Sequence, residues 1–340
     1  MTSEVDQRQP APTLEAVAAL AGVSRSTVSR VVNDSPRVTP EAIEAVTRAI
    51  EQLGYVPNRA ARTLASRRTQ AIALVIPENT ARFFSDPFFA TVVQGIAQHL
   101  ATTDYTLSML IASETNPEKT RRYLQGGNVD GALILSHHSN DNSYRALARS
   151  IPVVFGGRPM SDEGPDSYVV DVDNVGAAKL ATQYLIERGR TRIATIAGPQ
   201  DMGAGLDRLE GWRSALTEAH LDAGLWEEGD FTPPGGGAAM GRLLDREEPF
   251  DAVFVASDQM AYGALGVLRE RGIRVPEDVA IVGFDNDYYS TSSFPPLTTM
   301  EQSSVAMGSR MAEVLVRLIA GETVDNLTIM PTRMVERDSV

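Results

Sequence analysis

Apolar positions along the chain follow two rhythms, and the change comes near Thr69. In the first part they recur every three to four residues over short stretches, which predicts helices. Leu14 to Ala21 is such a stretch, with Thr13 placed to cap its start and Gly22 to end it. Gly22-Val23 predicts a tight turn, and Ser24 caps a second helix from Arg25 to about Val32. Asn33-Asp34-Ser35-Pro36 breaks that helix. Thr39-Pro40 then reads as an N-cap followed by proline at the first helical position, opening a third helix to Gly54 with Ile43, Val46, Ile50 and Leu53 on one face. Two helices joined through one glycine turn, with a third behind, give a helix-turn-helix. Pro57 to Ser66 is alanine-rich and too short to hold as an isolated helix, which needs about 12–15 residues, so it reads as a hinge.

After Thr69 short apolar runs alternate with amphipathic stretches. The runs Ala71–Ile76, Leu107–Ile111, Gly131–Leu135, Pro152–Phe155, Ile193–Ala197, Ala252–Ala256 and Val279–Phe284 predict buried strands. Phe88–Leu100, Val175–Arg188, Leu209–Ala219 and Met260–Arg271 predict helices between them. The alternation implies α/β architecture with parallel sheets covered on both faces. There are too many strands for one small sheet, so two lobes are expected. Pro233-Pro234-Gly235-Gly236-Gly237 is expected to be a loop.

Charge sharpens the division. The chain has 340 residues and a net charge of −13. Residues 1–68 hold nine Arg/Lys against seven Asp/Glu, a net +2, which leaves −15 on the remainder. Polyanionic DNA repels such a body, so a nucleic-acid contact belongs to the mildly basic head. The absence of cysteine excludes disulfides, thiolate metal sites and a cysteine nucleophile, and fits a reducing cytoplasm. Met1 to Pro10 is polar with no apolar signal core, and no run approaches the ~18 apolar residues of a membrane span. A cytoplasmic protein without a membrane partner is expected.

Candidate chemistry lies in two places. Gly22-Val23-Ser24-Arg25-Ser26-Thr27-Val28-Ser29-Arg30 puts polar residues at the start of the second helix while Val28, Val31 and Val32 face inward. The start of a recognition helix points into the major groove, where arginine pairs bidentately with guanine. In the body, Asp285 directly follows a predicted strand, where ligands of open α/β sheets bind. Its carboxylate can accept sugar hydroxyls, or cap a turn. Arg208 offers a fork of donors, or a surface ion pair. Asp258 also follows a strand, as a ligand contact or only as a helix cap. His137 and His138 end a strand but point apart in extended chain, a poor metal site. Gly203-Ala204-Gly205 begins a dinucleotide-like pattern, but Arg208 fills the third glycine position, and there is no P-loop. No cofactor, metal or catalytic group is expected.

The motif just quoted, followed by Gly54-Tyr55-Val56-Pro57-Asn58-Arg59-Ala60-Ala61-Arg62-Thr63-Leu64-Ala65, resembles the LacI/GalR family of repressors. The body resembles it too, through Arg208-Leu209-Glu210-Gly211-Trp212, Ser257-Asp258-Gln259-Met260-Ala261-Tyr262-Gly263-Ala264, Val275 to Asn286 and Pro295-Pro296-Leu297-Thr298-Thr299. The resemblance covers essentially residues 12–338. It implies that Arg25, Ser26, Ser29 and Arg30 read bases. Thr13, Ser24, Thr27, Asn33, Tyr55, Asn58 and Arg59 would hold phosphates or frame the helix. Leu64 would wedge into the minor groove at the operator centre, or else pack within the hinge; such wedges unstack a base step and bend the duplex. Arg208 and Asp285 match effector contacts of the family. Phe88, Phe89, Phe231 and Phe294 match positions lining its cleft, although each could equally be core. The family position nearest Gly156 often carries a polar contact, which glycine cannot supply.

The expected organisation is therefore a helix-turn-helix domain over 11–56, a hinge helix over 57–68 and an effector-binding and dimerisation domain over 69–340. The last has two periplasmic-binding-protein-like lobes, about 69–170 with 303–329 and about 171–302 with 330–340. The expected function is a homodimeric repressor that binds a palindromic operator under the control of a small sugar effector. The alanine- and arginine-rich style and the Arg25-Ser26 pair resemble actinomycete regulators of cellobiose and cello-oligosaccharide use, with maltodextrins and xylo-oligosaccharides as alternatives. A solute-binding protein for transport shares the two-lobed body but has no use for such a head. A nucleotide-dependent α/β enzyme lacks its phosphate-cradling motif here.

Overall fold

A computed structural model describes residues 12–32, 36–56, 68–111, 117–136, 138, 147–160 and 167–340. It divides into two units, Met1–Thr69 and Gln70–Val340. The predicted hinge lies outside the described residues except for Arg68, as do Asn33, Asn58, Arg59, Leu64 and His137.

The first unit holds α1 (Leu14–Ala21), α2 (Arg25–Val32) and α3 (Pro40–Leu53). Each start is capped by a hydroxyl that satisfies an orphan backbone N–H. Thr13 Oγ1 accepts from Ala16 N (3.3 Å), Ser24 Oγ from Thr27 N (3.1 Å) and Thr39 Oγ1 from Ala42 N (3.4 Å). Gly22 stops α1 at φ 66°, a left-handed backbone that lets the chain turn directly into α2. The small core gathers Val17, Ala18, Val28, Val46, Ala49 and Tyr55.

The second unit is two α/β lobes. The first lobe has a six-stranded sheet ordered β11-β5-β4-β3-β1-β2, formed by β1 (Ala71–Ile76), β2 (Thr106–Ile111), β3 (Gly131–Leu135), β4 (Val153–Gly156), β5 (Tyr168–Val172) and β11 (Leu327–Met330). The second lobe has the sheet β12-β10-β9-β8-β6-β7, formed by β6 (Ile193–Ala197), β7 (Trp226–Glu228), β8 (Ala252–Val255), β9 (Ala280–Asp285), β10 (Thr298–Gln302) and β12 (Thr332–Val335). Every pairing is parallel except β10 with β12. The chain crosses between lobes after β5, after β10 and between β11 and β12, so three adjacent strand connections serve both lobes. In the first lobe lie α4 (Thr80–Ser85), α5 (Pro87–Leu100), α6 (Pro117–Gln125) and α12 (Ser304–Ile319). The second has α7 (Asn174–Glu187), α8 (Gly203–Glu218), α9 (Pro233–Asp245), α10 (Asp258–Glu270) and α11 (Tyr288–Ser292). Strands buried on both faces, such as β1, β3 and β8, explain the unbroken apolar runs.

One expectation is corrected. Pro233 to Gly237 is not a loop but the first turns of α9. Thr232 Oγ1 accepts from Gly235 N (3.1 Å), and proline occupies a first-turn position where no N–H is needed. The glycines serve close packing of α9 on α10. A Cβ on Gly236 would sit 2.2 Å from the Met260 carbonyl oxygen, and one on Gly263 would sit 1.8 Å from that of Pro233. Tertiary contact overrides the poor helix propensity of glycine here.

Candidate functional site

In the head, the second helix presents its polar start outward. Arg25, Ser26 and Arg30 are exposed while Val28 is fully buried beneath them. The hydroxyl of Ser24 also lies 2.8 Å from that of Ser26 and 2.9 Å from that of Thr27, so these side chains share one cap. Tyr55 is 8% exposed and belongs to the core, which makes it a frame for the helices in this structure. Thr13 caps α1, and Ser29 is half-buried on α2. Sequence reading missed Glu15, whose carboxylate holds Arg25 Nε at 3.2 Å. The arginine expected to read bases is thus held by a solvent-exposed carboxylate in this structure.

In the body, a cleft opens between the lobes and is lined from both. Its first-lobe wall includes Arg82, Asp86, Phe88, Phe89 and Ser136; its second-lobe wall includes Arg208, Phe231, Gln259, Asp285 and Gln302. Strand ends and helix starts place these groups. Asp285 ends β9, Gln302 ends β10 and Asp86 caps α5 by accepting from Phe88 N (2.9 Å).

Arg208 organises the second-lobe wall. It is 4% exposed, and its guanidinium carbon lies 3.6 Å from the centroid of the Phe284 ring. Nε donates to Asn174 Oδ1 (2.9 Å), and Nη1 to the Ala256 carbonyl (2.6 Å) and to Asp285 Oδ1 (3.4 Å). Asn174 in turn donates to Asp171 Oδ1 (3.1 Å), and Gln302 Nε2 donates to Asp285 Oδ1 (2.5 Å). A buried charge needs such satisfaction. Burial pushes the Asp285 carboxyl up to about 7 against the pull of Arg208. Both contacts fall on Oδ1, which leaves Oδ2 to accept from a ligand. Arg208 is therefore a buried organiser rather than a surface ion pair.

The remaining expected residues separate. Phe88, Phe89 and Phe231 line the cleft, Phe88 and Phe231 with half-buried rings and Phe89, 1% exposed, also as part of the first-lobe core. Phe294 is 88% exposed and lies off the cleft wall, so its assignment as lining is corrected; it sits in the connection between α11 and β10. Asp258 is also corrected. It is fully buried behind the wall, and the cap of α10 is Ser257, whose Oγ accepts from Met260 N (3.3 Å). Gly156 does line the cleft, and a Cβ there would press on the ends of the Leu135 and Met311 side chains at 2.8 Å.

Sequence reading missed Arg82, Asp86, Asn174, Gln259 and Gln302. Asp86-Pro87 carries the signature of a cap with proline at the first helical position, and could have been found. Asn174 follows β5 and Gln302 ends β10, whose Tyr168–Val172 and Thr298–Gln302 lack a long apolar run. His138 joins the lobes rather than a metal. It contacts Glu78 Oε1 (3.1 Å) in its own lobe and Asp201 Oδ2 (2.9 Å) in the other. Among the described residues no group of His, Asp and Glu gathers as metal ligands, and no helix is long and apolar enough to cross a membrane.

Comparison with known proteins decides what kind of molecule carries these two sites. Residues 13–58 match the model of bacterial regulatory proteins of the lacI family, and residues 182–340 match a periplasmic binding protein-like domain. The HTH-type transcriptional regulator CelR of Thermobifida fusca is 48% identical over 338 residues, covering 98% of this chain and 99% of CelR.

The chain belongs to the LacI family of bacterial regulatory proteins.

The HTH-type transcriptional repressor PurR of Haemophilus influenzae, strain PittEE, is 35% identical over 316 residues, covering 90% of this chain and 91% of PurR. Among solved structures, a CelR–cellobiose complex aligns with a TM-score of 0.76 at 46% identity, covering 97% of this chain and all of that one. A lac repressor dimer bound to operator and the anti-inducer ONPF aligns with a TM-score of 0.85 at 27% identity, covering 97% and 99%. This LacI-family chain is thus a transcriptional regulator with a helix-turn-helix head and a two-sheet α/β body.

Proposed function

We propose that this LacI-family regulator is a homodimeric repressor that binds a palindromic operator through α2, and that cellobiose or a short cello-oligosaccharide in the lobe cleft controls that binding. The observation that carries the effector is the near full-length 48% identity to CelR together with the likeness to the CelR–cellobiose complex. The cleft chemistry supports it. A sugar offers hydroxyls in its ring plane and apolar C–H faces above and below. Asp285 accepts hydroxyls, Arg208 and Gln302 donate, and Phe88 and Phe231 supply apolar faces.

On this reading the head is 11–56, the hinge 57–68 and the sensor 69–340, and the protein works in the cytoplasm without catalysing a reaction. Arg25, Ser26, Ser29 and Arg30 read bases. Thr13, Ser24, Thr27, Asn33, Tyr55, Asn58 and Arg59 hold or frame the backbone contacts, and Leu64 enters the operator centre. Titration calorimetry with cellobiose, cellotriose, maltose and xylobiose, paired with anisotropy of labelled operator DNA, tests the proposal. Cellobiose or cellotriose should bind best and shift operator affinity about 5–150-fold. A protein that binds neither, or whose operator affinity ignores both, overturns it.

A further inference from the structure

Asp258 lies outside the cleft wall, yet its contacts converge on the segment that carries Asp285. Its Oδ2 accepts from Asp287 N at 3.1 Å, two residues beyond Asp285. Its Oδ1 accepts from Thr299 Oγ1 at 2.7 Å, on the strand beside β9. The backbone between these anchors is unusual. Asp285 has φ 113° and Asn286 φ 58°, conformations that side-chain-bearing residues seldom adopt and that persist only when the surroundings over-determine them. β9 is also notched to admit the Asp258 carboxylate. A Cβ on Gly283 would lie 2.1 Å from Asp258 Oδ1, so only glycine leaves room at that position.

We infer that Asp258 is a positioning residue for the effector site: by holding Asp287 N and Thr299 it fixes the turn after β9 and aims the Asp285 carboxylate at the ligand. This rests on the reading of the cleft as the effector site.

The electrical state of the clamp follows from its surroundings. Burial disfavours the anion, and the nearby Asp285 and Asp287 carboxylates add to that, so Asp258 stays protonated well above the ordinary range. Burial thus favours the neutral acid at Asp258, and of the two it is Asp285 that lies on the cleft wall itself. Asparagine is the closest neutral replacement, because its oxygen can accept from Asp287 N while its N–H donates to the Thr299 hydroxyl, which can rotate to accept. Asn286 has its own partners in Glu301 (2.6 Å) and Arg337 (2.6 Å), which hold the turn from the far side.

The test uses full-length protein, cellobiose calorimetry between pH 5.5 and 8.5, thermal melting and operator anisotropy, for Asp258→Asn, Asp258→Ala, Thr299→Val and Asp285→Ala. Asp258→Asn should bind cellobiose within about threefold of the unsubstituted protein, with the same pH profile. Asp258→Ala should lose about tenfold or more, Thr299→Val should lose less, and operator affinity without sugar should stay within about twofold for both. An Asp258→Asn protein that folds but binds as poorly as Asp258→Ala, or whose pH profile is shifted, overturns the inference, as does one that does not fold. So does undiminished affinity in Asp258→Ala. If Asp258→Ala fails to fold, Thr299→Val decides: unchanged affinity there overturns the clamp. An unsubstituted protein that ignores cellobiose, or an Asp285→Ala protein that binds it fully, instead strikes the effector-site reading itself.

Discussion

His138 of the first lobe reaches Asp201 of the second, Nδ1 to Oδ2 at 2.9 Å, while its other nitrogen lies 3.1 Å from Glu78. One imidazole between two carboxylates from opposite sides of the cleft is a charge-dependent clasp. Hydrogen bonding to Glu78, then to Asp201, raises His138 from its ordinary 6.5 to about 9 against the opposing effect of burial. The surrounding charges are Glu78, Asp201 and Arg82, the last 3.5 Å from Glu78. A raised folded-state pKa means that the stabilisation is complete below about pH 6.5 and is lost as pH rises through about 9. The sensor's melting temperature should therefore fall between pH 7 and 9.5 more steeply in the unsubstituted protein than in His138→Gln. At pH 7, His138→Gln should cost about 1.5–3 kcal/mol, the worth of hydrogen bonds to charged groups. Parallel pH curves for the two proteins would refute the clasp.

Asp285 follows the same direction for stability but the opposite one for ligand binding. Its carboxyl is pushed up to about 7 by burial, so folding is favoured at low pH, where it is neutral, and that contribution is lost as pH rises through 7. Sugar hydroxyls donate to the ionised form, so effector affinity should instead fall as pH drops below about 7. Asp285→Ala should abolish the response to ligand and leave operator affinity nearly intact. Arg208→Met leaves Asp285 buried without its cation, which should cost about 3–5 kcal/mol in sensor stability besides the loss of binding. Calorimetry at pH 5.5, 7 and 8.5 with parallel melts checks both signs.

In the head, Arg25→Ala should cost about 1–3 kcal/mol in operator binding and relax preference at one base pair per half-site. A uniform loss over all operator variants would make Arg25 a phosphate contact. Glu15→Gln removes the exposed carboxylate that holds Arg25 at 3.2 Å, and should tighten operator binding with little effect on melting. Anisotropy against a panel of single-base operator variants separates these outcomes.

Gly236→Ala tests the correction at α9. The added methyl would meet the Met260 backbone at 2.2 Å, which should cost about 1–3 kcal/mol, whereas a loop glycine would tolerate it. The position also shows what was legible in the sequence. The three head helices carry their own caps and stops in Thr13, Gly22, Ser24 and Thr39, so local chemistry announces them. Strands buried on both faces, such as Ala71–Ile76, announce themselves as apolar runs. β10, Thr298–Gln302, does not, because its buried threonines and Gln302 are polar groups satisfied by distant partners such as the Arg337 carbonyl and Asp258. α9 was hidden because its glycines answer to α10 rather than to helix propensity. Asp285 and Arg208 were visible from strand-end chemistry and family likeness. Asp258 has the same local signal but faces Thr299 and Asp287, a distinction that only the packing makes.

The last prediction concerns how ligand and DNA communicate. Asp207 and Arg208 are neighbours on α8 with different allegiances. Asp207 takes Arg158 Nη2 of the first lobe at 2.5 Å, while Arg208 turns into the cleft toward Asp285. Asp201, just before the same helix, receives His138. One helix and the turn before it thus carry two ionic contacts between the lobes and the main donor on the cleft wall. A ligand that draws on Arg208 must bias the relation between the lobes through α8, and a bias between two states is what allostery requires. Asp207→Asn weakens one crossing while leaving Arg208, Asp285 and Gln302 unchanged, although its partner Arg158 also lines the cleft. It should change cellobiose affinity modestly, because the partners are partly exposed, but reduce the factor by which cellobiose shifts operator affinity. Reciprocity demands that operator DNA change cellobiose affinity by that same factor in each protein. Titrating cellobiose with and without operator, for the unsubstituted protein and Asp207→Asn, measures both sides of the cycle. Equal cellobiose affinities with and without operator in the unsubstituted protein would rule out allosteric control, and an unchanged factor in Asp207→Asn would rule out the Arg158–Asp207 crossing as part of its route.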